Sequence, residues 1–459
     1  MKREITRREF VGASMAAGLA LGPLAQKILG KQNPAEESSA PKLRGASPRG
    51  TRRYEGVELT ILTHAGHSYV RAVEAFAAEF HALTGATIRI KGLPSPYGWW
   101  SLLPLAQADA VSKNPQFDLF CSDLNHSWIL WPHLHPLNNY IKKFDYDMSG
   151  FFAPVYRDGE AVQKGVRYGL PIRANVPVIF YRKDLIGELP TSWNEYDKAL
   201  AATTAGGMYG FSAVGDSYRI HPGGPAEELT KAFLARYWSQ GDPILSPDKE
   251  PLIASDKGIW ALEMLKRQVH SYASPESANW DATAAINAFL EGRAAIVESV
   301  PFAVLPHLQN PKRSKVADKW AIGTYPGVGG GYLTTQEMVI FKHSKNPEAA
   351  FEFLAYCTNP VNSGRLLVDY AQTTARKTAW LDYQLVPKTQ NLNIINALDR
   401  GITFAVGQSQ WLDMLTVLWE TVGYCMKGYM TAGQALNLAA AKWKVSLKQN
   451  LHSQVTPEN

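Results

Sequence analysis

Near the middle of this 459-residue chain, Val166 to Leu185 reads VRYGLPIRANVPVIFYRKDL. Gly169 and Pro171 punctuate its start, PVIFY supplies a short apolar run, and Arg182, Lys183 and Asp184 close it. Such a run reads as a buried strand. Entered and left through Pro and Gly, it can take the chain from one folded lobe to another. Length supports two lobes, because single hydrophobic cores stop growing beyond roughly 250–300 residues.

Composition is that of a globular protein, with 46% hydrophobic and 19% charged residues. The formal net charge of +6 is unevenly placed. Residues 1–53 hold 11 Lys and Arg against 4 Asp and Glu, and the remainder holds 36 against 37. The basic excess therefore lies in the leading segment and implies no nucleic-acid surface. Cys121, Cys357 and Cys425 are odd in number and far apart, without zinc or redox spacing. They read as small buried hydrophobes.

Arg7 and Arg8, then Phe10, precede FVGASMAAGLALGPLA, which is too short and too rich in Gly and Ala to span a membrane comfortably. Residues 1–30 resemble a twin-arginine export signal, an address read by a receptor. Export of a folded chain to the periplasm or another extracytoplasmic space is the expectation. No cysteine near position 25 offers a lipid anchor. Residues 31–54, rich in Pro, Ser, Lys and Arg, read as a disordered linker.

After the linker, VELTILT alternates as a strand, and Val70, Val73, Phe76, Phe80 and Leu83 mark one helix face that should stop at Gly85. ATIRIK is the next strand, so a β-loop-α-β unit of a parallel sheet opens the chain. Ligands of such sheets bind at the carboxyl ends of strands, which places His64, Gly66, His67 and Ser68 in a candidate site. The loop SPYGWW offers Tyr97, Trp99 and Trp100, aromatics that a helical core does not explain. FDLFC is a third strand and ends in SDLNHSW, with Asp123, Asn125 and Trp128.

Beyond the central stretch, Ser192 and Glu195 form a capping box before WNEYDKAL, so Trp193 is expected to serve the fold. MYGFSAV is a strand whose terminal loop holds Tyr218. Trp280 precedes a helix of about Asp281 to Glu291, and Ala294–Glu298 follows as a strand. WAIGTYP should return the chain to the first lobe. GVGGG at 327–331 follows a proline and opens no helix, so it reads as a permissive loop near the cleft, not a phosphate cradle. Pro347 after Asn346 starts a helix, and two amphipathic helices, about Trp411–Lys427 and Ala432–Gln449, end the chain.

Several runs, in order, resemble the extracellular solute-binding proteins of the sugar-binding type that serve ABC importers. They are YGLP with YRKDL, FDLF with LHPLNNYI, the Pro190–Glu195 helix start, FLEGRAAIVES, and Pro326–Thr358 ending in SKNPEAAFEFLAYCT. TAR at 374–376 matches the family's pattern in part, without its proline, and YLTTQ stands where many relatives have Trp. The resemblance spans about residues 57–378. It implies an α/β two-lobed periplasmic-binding-protein fold of type II with several hinge crossings. The lobes are expected at 55–174 plus 328–378 and at 178–325 plus 380–459.

It further implies a non-catalytic receptor that binds a sugar, oligosaccharide or polyol between its lobes. The receptor would act as a monomer, without cofactor or metal, and deliver its ligand to permease subunits in the inner membrane. Sugars need flat aromatic platforms with Asp, Asn, Arg and Gln in one cleft. Trp99, Trp100, Trp128 and Trp280 are the candidate platforms. Asp123, Asn125, Arg173, Asn175 and Gln336 are the polar partners, with Tyr332 and Arg376 added on the resemblance. Arg173 could also pair a ligand carboxylate or form a structural salt bridge. The alternative is a secreted carbohydrate-active or metal-binding enzyme, using His64, His67, His126, His133 and His135 near Asp123, or Asp123 with Glu298.

Overall fold

The computed structural model describes residues 52–65, 68–93, 102–123, 126–157, 162–163, 165–205, 208–213, 227–298, 304–328, 330–383, 386–404 and 410–453. Strand β1 (Glu58–His64), helix α1 (Ser68–Thr84) and strand β2 (Thr87–Leu93) form the opening unit, β1 pairing with β2 in parallel along all seven residues. Val70, Val73, Phe76 and Phe80 are buried along α1. Gly85, at φ +84°, ends it in a conformation that side chains disfavour. The last residues of the expected linker are anchored. Tyr54 donates its N–H to the Thr84 carbonyl and its hydroxyl to Glu352 Oε1, and Arg53 pairs with the same carboxylate.

Helix α2 (Leu102–Ala110), strand β3 (Leu119–Asp123) and helix α3 (Ser127–Leu130) follow. The central stretch makes two strands rather than one, β4 (Gly169–Asn175) and β5 (Ile179–Arg182). Pro171 lies within β4, where the register against the neighbouring strand shifts. Such an irregularity accommodates a residue without an N–H. Helix α4 (Trp193–Ala205), strand β6 (Tyr209–Ser212), and helices α5 (Glu227–Trp238), α6 (Asp256–Tyr272) and α7 (Ala282–Leu290) lead to strands β7 (Ala294–Glu298), β8 (Trp320–Gly323) and β9 (Thr334–Ile340). Helices α8 (Pro347–Thr358), α9 (Lys388–Asp399), α10 (Trp411–Met426) and α11 (Ala432–Ser453) complete the main elements.

The strands form two principal sheets, ordered β2-β1-β3-β9-β4 and β8-β5-β7-β6. Only Val176, Pro177 and Val178 separate the end of β4 from the start of β5. The carboxyl ends of β1, β3 and β4 therefore lie near this crossing on one side. On the other side β7 and β8 end against Ile179, the first residue of β5. A second crossing runs from Gly323 to Thr334.

α1 and α8 cover one face of the first sheet, with Phe80 against Phe353 at 5.4 Å between ring centres. Its other face buries Leu62, Phe120 and Val339 with Leu102 and Leu103 of α2. α4, α5, α6, α10 and α11 build a second core rich in Trp and Tyr. Ser255 and Asp281 cap α6 and α7 through their side chains, each worth about 1 kcal/mol. At α4, the Ser192 hydroxyl accepts from the Glu195 N–H and donates to its carboxylate. Cys121, Cys357 and Cys425 are all buried.

Candidate ligand-binding site

Three strands converge on one polar row at the carboxyl edge of the first sheet. Gln336, near the start of β9, pairs through its backbone with Asp123 of β3 on one side and Arg173 of β4 on the other. Arg173 Nη1 donates to Gln336 Oε1 at 2.7 Å, and its Nη2 lies 3.5 Å from Asn175 Oδ1. Asn175 Oδ1 also accepts from the Thr373 hydroxyl at 2.6 Å. Beneath the row, the Arg173 guanidinium lies over the Tyr69 ring, 5.4 Å from its centre. The Tyr69 hydroxyl is 2.8 Å from Thr63 Oγ1. His64 closes β1 at the same edge and is buried.

His64, Asp123, Arg173, Asn175 and Gln336 thus meet at one edge, and Ser68 opens α1 just beyond it. Sequence reading missed Thr63, Tyr69 and Thr373. The doublet Thr373-Thr374, adjoining the TAR motif, was the available signal for Thr373. Gly66, His67, Tyr97, Trp99, Trp100, Asn125 and Tyr218 lie outside the described residues.

Four expected ligand residues stand elsewhere. Trp128 is 1% exposed and belongs to the second core, so its ring faces are taken up by packing. Tyr332 is 2% exposed, wedged between Trp238 and Phe404. Arg376, also buried, donates to the Thr358 and Asp147 carbonyls and the Tyr146 hydroxyl, and packs over Phe151. It ties loop to helix within the first lobe. Trp280 is half-buried, with the Arg293 guanidinium 5.6 Å from a ring centre. Arg293 precedes β7, at the end opposite Glu298, so the ring is turned from the cleft edge.

Glu298 closes β7 on the facing sheet, but it is not available for acid–base chemistry. It is 2% exposed and accepts from Arg236 Nη1 and Nη2 at 3.0 and 2.9 Å and from the Tyr196 hydroxyl at 2.6 Å. Burial alone would lower the Arg236 pKa, but the adjacent carboxylate more than offsets it and the net shift is upward. Burial and the same carboxylate push the Tyr196 hydroxyl well above its usual range. Trp193 stacks on Arg236 at 4.7 Å and donates to Ser239 Oγ at 2.8 Å, a structural position.

His126 is enclosed by aromatic rings, parallel to Phe120 and tilted against Trp411, each 6.0 Å away between centres. Burial lowers its pKa to about 3. Among the described residues no three His, Cys, Asp or Glu side chains gather to hold a metal.

The sequence profile of the bacterial extracellular solute-binding proteins matches residues 66–363. The chain belongs to that family. Solute-binding proteins of this kind bind without catalysing, and the family is extracellular. Among the described residues no helix is long and apolar enough to cross a membrane. A binding protein of Brucella abortus (strain 2308) is 23% identical over 320 residues, 65% of this chain and 71% of its own.

Solved solute-binding structures show the same two-lobed fold. The sugar-binding protein MalE of Xanthomonas citri superposes with a TM-score of 0.71 at 18% identity, covering 87% of this chain and 100% of its own. Maltose-bound MalE3 of T. maritima gives 0.70 at 18%, covering 85% and 99%. An ABC transporter solute-binding protein of Agrobacterium radiobacter K84, in complex with ribitol, gives 0.69 at 22%, covering 85% and 98%.

Proposed function

We propose that this solute-binding protein is the receptor of an ABC importer and binds a sugar or polyol between its two sheets. The observation that carries the reading is the row of Arg173, Gln336 and Asn175. It is a prebuilt set of hydrogen-bonding groups at the edge where the two sheets approach each other. Sugars and polyols present many hydroxyls, and such a row supplies directional partners for them. The T. maritima and Agrobacterium structures hold maltose and ribitol.

The lobes are proposed at 55–174 plus 328–378 and at 178–325 plus 380–459. Sheet membership supports these limits, as does Asn393 of α9, which donates to the Ile322 carbonyl of the second sheet. Closure about the crossings would present a surface to the permease. Arg7 and Arg8 are proposed to direct twin-arginine export to the periplasm, and the receptor is proposed to work as a monomer. Replacing both arginines by lysine should hold the protein in the cytoplasm, and unchanged export would remove that reading.

A thermal-shift screen of neutral sugars, polyols and sugar acids tests the function. A ligand held only by the native state raises the melting temperature. Compaction in solution scattering on adding the hit is the expected second result. A screen without a single stabilising member would refute the sugar and polyol reading.

A further inference from the structure

Strand β4 is irregular at the place that decides where the Arg173 side chain points. Leu170 pairs with Met338 of β9, Pro171 with Glu337 and Arg173 with Gln336, so Ile172 is an extra residue, a β-bulge. Leu170 and Arg173 are three apart, and in a regular strand they would face opposite sides of the sheet. The extra residue cancels that alternation. Arg173 thus shares a face with Leu170, Met338 and Gln336, the face that packs on the core beneath α1.

Tyr69 meets the guanidinium on that face. It is the second residue of α1 and is fully buried. The guanidinium carbon lies 5.4 Å from the ring centre, close enough for attraction to the ring's negative face. At the other end of the ring, the Tyr69 hydroxyl is 2.8 Å from Oγ1 of Thr63, itself 2% exposed near the end of β1. A buried hydroxyl with a fixed partner sets the orientation of its ring. The guanidinium is therefore held from two directions, by the ring beneath it and by Gln336 Oε1 at 2.7 Å beside it.

We propose that Tyr69 is a positioning residue of the binding site, a shelf that holds the Arg173 guanidinium in the row before a ligand arrives. This rests on the sugar and polyol reading above and extends it to a residue that touches no ligand. A side chain without exposed surface acts only through what it packs against. Arginine is rich in rotamers, and fixing its head group in advance removes an ordering cost that association would otherwise carry. The ring face is the part that does this. Phenylalanine keeps that face, and an unbranched aliphatic side chain does not.

Tyr69→Met and Tyr69→Phe on the full chain test the proposal by calorimetry. The probes are maltose and ribitol, then every other sugar, polyol and sugar acid of the screen. For the compounds that wild type binds, Tyr69→Met should weaken binding about fivefold, and Tyr69→Phe should stay within about twofold. In an Arg173→Ala background, Tyr69→Met should cause no further loss, whereas a merely structural role would weaken both backgrounds alike. Wild-type affinity in Tyr69→Met, or an equal loss in both backgrounds, would overturn the positioning role and leave a sugar receptor standing. Wild type that binds none of the compounds would overturn both.

A measurement without ligand decides the matter if Tyr69→Met is too unstable to titrate. The Arg173 Nε–Hε resonance, identified by its loss in Arg173→Lys, should relax as rigidly as the backbone amides in wild type and in Tyr69→Phe. It should become mobile in Tyr69→Met. A resonance already mobile in wild type, or unchanged in Tyr69→Met, would overturn the shelf.

Discussion

Arg173 and Gln336 lie 163 residues apart in sequence and are joined by a 2.7 Å hydrogen bond across neighbouring strands. The bond links the strand that leaves the first lobe to the strand that returns to it. A ligand held at this row, as proposed, would act directly on the two chain crossings.

Arg173→Ala should weaken binding of whichever sugar the screen returns, while the fold persists. The guanidinium is partly solvated and rests on Tyr69, a buried residue of the first core. Hydrogen bonds to charged groups are worth about 1.5–3 kcal/mol, which corresponds to tenfold or more in affinity. Arg173→Lys should recover little, because an ammonium cannot hold two amide oxygens in one plane. Calorimetry with unfolding curves on the same samples separates affinity from stability. Wild-type affinity in Arg173→Ala would place the ligand elsewhere.

The Arg236–Glu298 pair should behave in the opposite way. Both side chains are at most 1% exposed. Arg236→Met leaves a carboxylate buried beside the Tyr196 hydroxyl, and breaking such a pair costs about 3–5 kcal/mol. Denaturant titration should show this loss, and the affinity of the remaining folded protein should be unchanged. The exposed pair Arg89–Glu58 is the control, and its removal should leave the midpoint where it was. Equal effects of the two would mean that the Glu298 site is far wetter than its geometry indicates.

Much of the fold was legible from local pattern. The β1-α1-β2 unit, the stop at Gly85, strand β7, the extent of α10 and the start of α11 follow from periodicity and capping, whereas α11 runs on to Ser453, past the expected Gln449. The site was legible in part. Arg173, Asn175 and Gln336 could be chosen as polar residues near strand ends, but their common row depends on a register between β4 and β9 that neither segment encodes alone. Trp128 misled because an aromatic after a strand looks like a platform. What buries it is the second core, assembled largely from residues far along the chain. Arg376 misled because a motif match says nothing of the carbonyls it meets. Glu298 looked like a catalytic carboxylate until its partner Arg236, in the last turn of α5, was in place.

His126 makes acid stability testable. Its folded pKa is lowered to about 3 by burial, against about 6.5 in an unfolded chain. The unfolded state therefore binds more protons between those values, and stability falls as pH drops below about 6.5. One such group contributes a slope of about 1.4 kcal/mol per pH unit until pH approaches the folded value. Above pH 7 it contributes none. His126→Phe keeps a ring between Phe120 and Trp411 and removes the titration. Denaturation midpoints from pH 7 to pH 4 should fall less steeply in the variant. Parallel acid limbs would show that His126 protonates within the folded state without penalty.

The second crossing should be intolerant of side chains at one glycine in particular. A Cβ on Gly330 would overlap the Arg400 carbonyl, and backbone there cannot swing aside as a side chain could. The neighbouring backbone is already paired, with Leu333 N–H to the Ile402 carbonyl at 2.9 Å and Ile402 N–H to the Gly331 carbonyl at 3.0 Å. Arg400 Nη2 adds a bond to the Gly327 carbonyl at 2.8 Å. Gly330→Ala must therefore push residues 400–402 away from the crossing and break these bonds, a loss of about 1–3 kcal/mol for groups left unpaired. Gly433→Ala is the matched control. It lies in α11, its added Cβ would meet only Ile259 at 3.6 Å, and alanine is the better helix former by about 1 kcal/mol. Thermal unfolding should show Gly330→Ala below wild type and Gly433→Ala at or above it. A Gly330→Ala protein as stable as wild type would mean that the 400–402 segment does not hold the crossing closed.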